Sequence, residues 1–339
     1  MSTIQDVAKA ASVSAATVSR YLNGRIQLPA TTAARIDKAI KKLEYRPNVL
    51  AKRLSLGKSE TLGFVTPEIG NPFFAELAAA AEDEASRNGY ALFMTSTGGH
   101  RNREIDMLRR LTDRHFDGLI MMTNQPDDGT LAQAVNTHSE VVLIDEDIPG
   151  VHVPKVFVEN YQGGRLAAAH LIAAGHERIA HIGGPAALFS AVERRRGFMD
   201  TMADAGLTPA PGHVVHGSYT RQFGVEAMRS LLKSETPPTA VFAGSDFIAL
   251  GVMEVVAEAG LGVPHDISLV GFDDMMFANL LAPALTTVRQ PTGELGRAGV
   301  RTLLAIIDKK APPPLTRLPV ALIERQSVAP PAGGKSPRI

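Results

Sequence analysis

The stretch DVAKAASVSAATVSRYLNG, Asp6 to Gly24, is built from unusually small side chains. Between the apolar markers Val7, Val13, Val18 and Leu22 stand mostly Ala, Ser and Thr, which bury little area. Its periodicity still predicts two short helices. Thr3-Ile4-Gln5-Asp6 has the form of a capping box opening a helix that runs to about Ala11, and Ser14 can cap a second that ends near Asn23-Gly24. Two helices that cross steeply over a short turn bring their backbones close together, so Ala8, Ala11 and Ala15 fit where Leu would clash. Pro29 and Thr31/Thr32 open a third helix with Ile36, Ala39, Ile40 and Leu43 on one face, closing at Tyr45-Arg46-Pro47. The expectation is an all-α helix-turn-helix headpiece over residues 1–46.

Charge gives that headpiece a partner. Residues 1–58 hold 11 Lys and Arg against 3 Asp and Glu, and the rest of a formally neutral chain holds 24 against 32. A basic module joined to an acidic body points to a polyanion met by the module alone. The second helix suits a DNA major groove about 12 Å wide, where exposed Ser, Thr and Arg reach phosphates and base edges. Candidate DNA contacts here are Thr3, Ser14, Ala15, Ala16, Thr17, Ser19, Arg20 and Asn23. Ala15 and Ala16 stand in the first exposed turn and can offer a base only apolar contact, as to a thymine methyl.

The whole chain, 339 residues and 45% hydrophobic, has no run of about 18 apolar residues and no charged-then-apolar leader. A soluble, cytoplasmic protein of two or three domains is expected, without a membrane partner. With no Cys, disulfides, thiolate zinc sites, iron–sulfur clusters and Cys nucleophiles are excluded together.

Beyond residue 60, apolar runs with strand character alternate with amphipathic stretches: TLGFVT, YALFMTS, DGLIMMT, VVLID, RIAHIGG, VVHGS, AVFAG and SLVGFDD. Such alternation predicts an α/β body of parallel sheets built from βαβ units. The strands outnumber what one compact sheet usually holds, so two doubly wound parallel-sheet subdomains with a cleft between them are expected; TTVRQP and PVALIER read as return crossings. Ligands in such sheets sit beyond the carboxyl ends of the strands. The residues there are Pro67/Glu68, Ser96, Asp145, Gly183-Gly184-Pro185, Tyr219, Ser245/Asp246 and Asp273. Carboxylates paired with aromatic faces from Phe73, Phe74 or Tyr219 suit a sugar or polyol, whose ring has polar edges and an apolar face. An Asp at a strand–helix junction has a second use, capping the helix, and one of Phe73 and Phe74 is expected in the core.

Between headpiece and body lies PNVLAKRLSLGKSE, residues 47–60. Pro47 followed by Val49, Leu50, Arg53 and Leu54 describes a helix of roughly two turns, too short to be stable alone. Enzyme readings find no support. Asp273-Asp274 are adjacent loop residues, no His-x-x-x-His or Glu-x-x-His cluster offers metal ligands, and phosphate-loop and nucleophile-elbow motifs are missing, so neither metal nor cofactor is expected. The serious rival is a transport-type sugar-binding protein, which the body alone would suit but the basic headpiece would not.

TIQDVAKAASVSAATVSRYLNG, followed by LEYRPNVLAKRLSLGKSETLGFV, closely resembles the headpiece and hinge of the lactose-repressor (LacI/GalR) family of bacterial transcription regulators. The likeness continues through NPFFAEL, FDGLIMM, GHERIAHIGGP, RRRGFMDTMADAGL, VFAGSDFIALGVMEVVAEAGLGVPHDISLVGFDD, PALTTVRQP and LIERQS. The resemblance implies a homodimeric repressor, occasionally an activator, that binds a palindromic operator and responds to a small effector in a periplasmic-binding-protein-like body. It places effector contacts at Phe73, Phe74, Asp145, Ser190, Arg194, Tyr219, Ser245 and Asp273, beside Glu68 and Asp246 from the strand-end rule. Glu68 is unusual for the family at its position. The resemblance also implies a hinge helix over 47–60 that folds on operator DNA, with Lys52 and Arg53 beside Leu54 as a minor-groove wedge. The body is then expected at 61–330, one subdomain from about 61–159 and 290–318 and the other from about 160–289 and 319–330, with a disordered tail at 331–339. That tail has no leucine heptads, so a dimer is expected; induction and corepression remain open.

Overall fold

A computed structural model of the chain describes residues 2–45 and 58–332. The expected hinge helix, with Lys52, Arg53 and Leu54, and residues 333–339 of the expected tail lie outside the described residues. The chain forms two compact units, Met1–Ser59 and Glu60–Ile339.

The first unit holds α1 (Ile4–Ala10), α2 (Ala15–Leu22) and α3 (Ala30–Leu43). The capping box closes in both directions: Asp6 N donates to Thr3 Oγ1 at 3.3 Å, and Thr3 N donates to the Asp6 carboxylate at 2.8 Å. Ser14 Oγ accepts from Thr17 N at 3.0 Å and so caps α2. The turn between them passes through Ser12 at φ 52°, and Ala8 and Ala11 are buried where the helices meet Val7, Val18 and Ile36. The third helix starts at Ala30, with Pro29 as N-cap and no side-chain cap. It ends at Leu43, two residues before the expected close at Tyr45, because Glu44 adopts a left-handed conformation. Tyr21 OH donates to the Asp37 carboxylate at 3.1 and 3.2 Å, tying α2 to α3.

The second unit carries two six-stranded sheets. The first sheet consists of β1 (Thr61–Thr66), β2 (Ala91–Ser96), β3 (Gly118–Met121), β4 (Val141–Ile144), β5 (Lys155–Val158) and β11 (Leu315–Leu318), in the order β11-β5-β4-β3-β1-β2. All its pairings are parallel. The second consists of β6 (Ile179–Gly183), β7 (Val214–His216), β8 (Ala240–Ala243), β9 (Ser268–Asp273), β10 (Thr286–Arg289) and β12 (Ala321–Ile323), in the order β12-β10-β9-β8-β6-β7. Only its β10–β12 pair is antiparallel. Each sheet reverses its winding beside its first strand, where a doubly wound sheet leaves a crevice.

Two strands escape the sequence reading. Lys155–Val158 and Leu315–Leu318 span four residues each and pair with one another at one side of the first sheet, so β11 alternates exposed and half-buried residues and has no long apolar run. The interior strands β3, β4, β8 and β9 are buried throughout, as strands covered on both faces must be.

Helices cover both faces. Around the first sheet lie α4 (Pro72–Arg87), α5 (Arg101–Thr112), α6 (Thr130–Val135) and α11 (Thr292–Ile307); around the second lie α7 (Asn160–Ala173), α8 (Phe189–Asp204), α9 (Arg221–Leu232) and α10 (Asp246–Glu258). No described helix is long and apolar enough to cross a membrane. Helices α7 and α8 touch backbone to backbone: a Cβ on Gly164 would stand 2.1 Å from the Arg194 carbonyl oxygen, and one on Gly197 would stand 2.0 Å from that of Tyr161. Gly197→Ala therefore forces the two helices apart, and urea unfolding should show a loss of about 2–3 kcal/mol. A loss below about 0.5 kcal/mol, within the range of an ordinary surface change, would contradict this packing.

Candidate functional site

The carboxyl ends of the two sheets face a cleft of about 240 Å³. From the first sheet come Glu68 after β1, Thr123, Asn124 and Gln125 after β3, and Asp145 and Glu146 after β4. Pro185 after β6, Tyr219 after β7, Ser245 after β8, Asp273 ending β9 and Gln290 after β10 come from the second. Helix N-termini complete the lining with Asn71, Phe73 and Phe74 at α4 and Leu188, Ser190 and Arg194 at α8. Both Phe73 and Phe74 line it, edge to face at 5.3 Å, while Phe73 is also buried in the core beneath the first sheet.

Of the expected effector residues, the cleft gathers Glu68, Phe73, Phe74, Asp145, Ser190, Arg194, Tyr219, Ser245 and Asp273. Asp246 is a correction. It is wholly buried, with Oδ1 accepting from Thr287 Oγ1 at 2.6 Å and Oδ2 from Met275 N at 2.8 Å, so it braces β10 and the loop after β9 from behind. The helix turn separates the pair: Ser245, the N-cap of α10, lines the cleft, and Asp246 at the first helical position turns into the sheet. Ser96 also stays out of the lining, accepting from Ile69 N at 3.3 Å. Sequence reading missed Glu146, Asn124, Phe247, Met275 and Gln290. The strand-end rule, carried one residue past Asp145 and applied to β3 and β10, would have reached Glu146, Asn124 and Gln290.

Neither Asp145 nor Asp273 caps a described helix; they stand at strand ends with φ of 70° and 114°. A left-handed conformation is costly for a residue with a side chain and gathers where the surrounding fold enforces it. Arg194, 4% exposed, is held from several sides: Nε donates to Asn160 Oδ1 at 2.8 Å, Nη1 donates to the Gly244 carbonyl at 2.7 Å, and the guanidinium lies 3.7 Å above the Phe272 ring. Its nearest carboxylate is Asp273, at 3.9 Å, and Asp273 Oδ1 accepts from Gln290 Nε2 at 2.7 Å. Across the cleft, Glu146 accepts from Ser190 N at 3.0 Å and from Ser190 Oγ at 2.7 Å, and Ser190 Oγ lies 3.2 Å from Tyr219 OH. These bonds join the loop after β4 of the first sheet directly to the first turn of α8, which packs on the second. Phe157 of β5 against Phe189 of α8, with ring centroids 5.1 Å apart, adds an apolar contact beside them.

Burial governs the acids. It pushes Asp145 up to about 8, helped by the Glu146 charge and opposed by Arg194. Burial pushes Glu146 up to about 7 against the Ser190 hydrogen bonds, and Asp273 up to about 6 against Arg194 and Gln290. The Tyr219 hydroxyl rises to about 12 for the same reason. An acid with a raised folded pKa holds its proton more tightly in the folded chain, so its contribution is favourable at low pH and is lost as pH climbs toward the raised value. His181, held near 3 by burial, acts oppositely but only below the ordinary histidine range. From pH 6.5 to 8 the acids therefore dominate, and thermal unfolding should show the ligand-free protein losing roughly 1–2 kcal/mol over that interval. Asp145→Asn should lessen that slope, to which the buried Glu146 and Asp246 contribute in the same sense, and raise the melting temperature at pH 8. An unchanged slope would refute the burial assignment.

On the first unit, Ala16, Arg20, Ser14 and Thr3 are exposed, and Thr17, Ser19 and Asn23 are half-buried. Thr3 and Ser14 serve as helix caps, and Asn23 closes α2. Ala15 differs from its neighbour: it is half-buried against the three-helix core, which leaves Ala16 as the outward residue of the pair.

Residues 3–48 match the model of the lacI family of bacterial regulatory proteins, and residues 168–328 match that of a periplasmic binding protein-like domain. The chain is 34% identical over 311 residues to the HTH-type transcriptional repressor PurR of Aliivibrio salmonicida, covering 91% of this chain and 93% of that one. It is 32% identical to catabolite control protein A of Priestia megaterium over 96% of this chain and 98% of that protein. Among solved structures it is similar to a lac repressor dimer bound to operator and the anti-inducer ONPF, with TM-score 0.84, 26% identity, and 97% and 99% of the two chains covered. The complex of the transcriptional regulator CelR with cellobiose matches with TM-score 0.73 and 31% identity over 96% of this chain and 100% of that one.

Proposed function

We propose, from the premise that the chain belongs to the lacI family of bacterial regulatory proteins, that it is a repressor binding a palindromic operator as a homodimer under the control of a small sugar or sugar-derived effector. Ligand-responsive control of transcription is common ground among its relatives. The observation that carries the finer reading is the union, in one chain, of a basic helix-turn-helix with a cleft between two doubly wound sheets lined by acids, hydroxyls and aromatic faces. A binding protein for transport would have no use for the first unit. In this reading the effector contacts are Glu68, Phe73, Phe74, Asp145, Ser190, Arg194, Tyr219, Ser245 and Asp273, and α2 presents Ala16, Thr17, Ser19 and Arg20 to DNA. A coupling of about 1–3 kcal/mol between the two sites would change operator affinity roughly 5–150-fold.

The test is a selection of randomised palindromes by the full-length protein, repeated with Ala16→Gln. A wild-type consensus with two-fold symmetry is expected, and Ala16→Gln should alter at least one symmetric position, because Gln can pair with an adenine edge and Ala cannot. Recovery of no consensus refutes operator recognition. The same consensus from both proteins shows that residue 16 faces away from the bases.

A further inference from the structure

The cleft is lopsided in charge. Carboxylates of Glu68, Asp145, Glu146 and Asp273 face it, and Arg194 is the one cation among the lining residues. That cation is already engaged by Asn160, the Gly244 carbonyl and the Phe272 ring, with Asp273 as its nearest carboxylate. No second Lys or Arg, and no His, lines the wall that carries Glu68, Asp145 and Glu146.

Open hydrogen-bonding positions are lopsided in the same way. Gln290 is 4% exposed and lines the cleft; its Nε2 serves Asp273 and its Oε1 has no partner among the described residues. Asn124 Oδ1 is also without a partner there. The Ser190 hydroxyl, by contrast, is taken by Glu146 and Tyr219. The two amide oxygens add acceptors to the carboxyl groups of the same cleft, and a donor on the ligand can meet them. An ammonium brings three donors, and its charge would draw the raised Asp145 and Glu146 carboxyls back into their ionised form. The rings of Phe74, Phe247 and Tyr219 also line the cleft, and an aromatic face attracts a cation. A carboxylate or phosphate on the ligand would meet repulsion instead.

We propose that the effector is an aminated polyol, a sugar-sized ligand with one protonated nitrogen set against the wall of Asp145 and Glu146 and hydroxyls directed to Gln290, Asn124 and Asp273. This rests on the reading of the cleft as the effector site and narrows the chemical class of its occupant.

Calorimetry and thermal shift on the full-length protein at pH 7.5 test it with matched compounds: hexosamines and 1-amino-1-deoxyalditols, their N-acetyl forms, the parent neutral sugars, gluconate and glucose 6-phosphate. The tightest ligand should carry a free amine, its N-acetyl form should bind at least about tenfold more weakly, and Asp145→Asn should bring that ratio down to about threefold or less. A tightest ligand that is neutral or anionic overturns the proposal, and so does a panel in which no amine binds. If a neutral sugar binds and Phe74→Ala abolishes its binding, the effector-site reading stands and the ligand class falls. If Phe74→Ala leaves that binding unchanged, the effector-site reading falls as well.

Discussion

Removal of residues 1–58 should lower operator affinity by at least about a thousandfold, the usual gap between specific and non-specific binding, and leave effector affinity within about twofold. The deleted segment holds the basic excess, 11 Lys and Arg against 3 Asp and Glu, and the remainder carries the opposite sign. DNA would meet an acidic surface with no helix-turn-helix. The cleft draws all its lining from residues 68 to 290, inside the unit that begins at Glu60, and the three-helix core is complete within the first unit. Gel shifts on the selected palindrome and calorimetry with the effector measure the two quantities separately. Retained operator affinity would overturn the assignment of the headpiece to DNA.

The second large effect concerns Arg194. Arg194→Ala leaves Asn160 Oδ1 and the Gly244 carbonyl without their donor and Asp273 without its cation, in a buried setting where breaking one partner of such a group costs about 3–5 kcal/mol. Effector affinity should fall by about a hundredfold or more, with operator binding retained and no longer responsive to ligand. Arg194→Lys keeps the charge but not the planar fork stacked on Phe272, so it should restore only part of the affinity. Melting temperatures recorded beside the affinities separate lost recognition from lost fold. Ligand response at wild-type concentrations in a folded Arg194→Ala protein would sink the assignment.

Legibility in the sequence followed locality. The capping box at Thr3 and Asp6, the Ser14 cap and the close Ala8–Ala11 approach are contacts between near neighbours in sequence, and each could be read from residue type and spacing. Both sheets announced themselves through apolar runs because their interior strands are covered on both faces. Strands β5 and β11 did not: four residues at one side of a sheet carry too little hydrophobic pattern. In the cleft, the rule that ligands gather at strand ends identified a position in the chain but not a side-chain direction. It therefore admitted Asp246, which turns inward to Thr287, and it overlooked Glu146, whose partner Ser190 is 44 residues away. Such pairings depend on tertiary closure, which local periodicity does not encode.

The chain passes between the two sheets three times, after β5 near Glu159, between β10 and α11 near Gln290, and from β11 to β12. Two of these passages are fastened together by the bond from Glu159 N to the Leu318 carbonyl at 2.9 Å. A single tether would leave two bodies free to swivel about any axis. Three tethers restrict that swivelling and favour opening and closing of the cleft about the crossings, as in hinge closure around a ligand. The same threading makes the halves inseparable at the level of the gene. A cut near residue 160 places α11 and β11 on a different fragment from the first-sheet strands they pack against, whereas the helix-turn-helix ahead is one continuous stretch of chain.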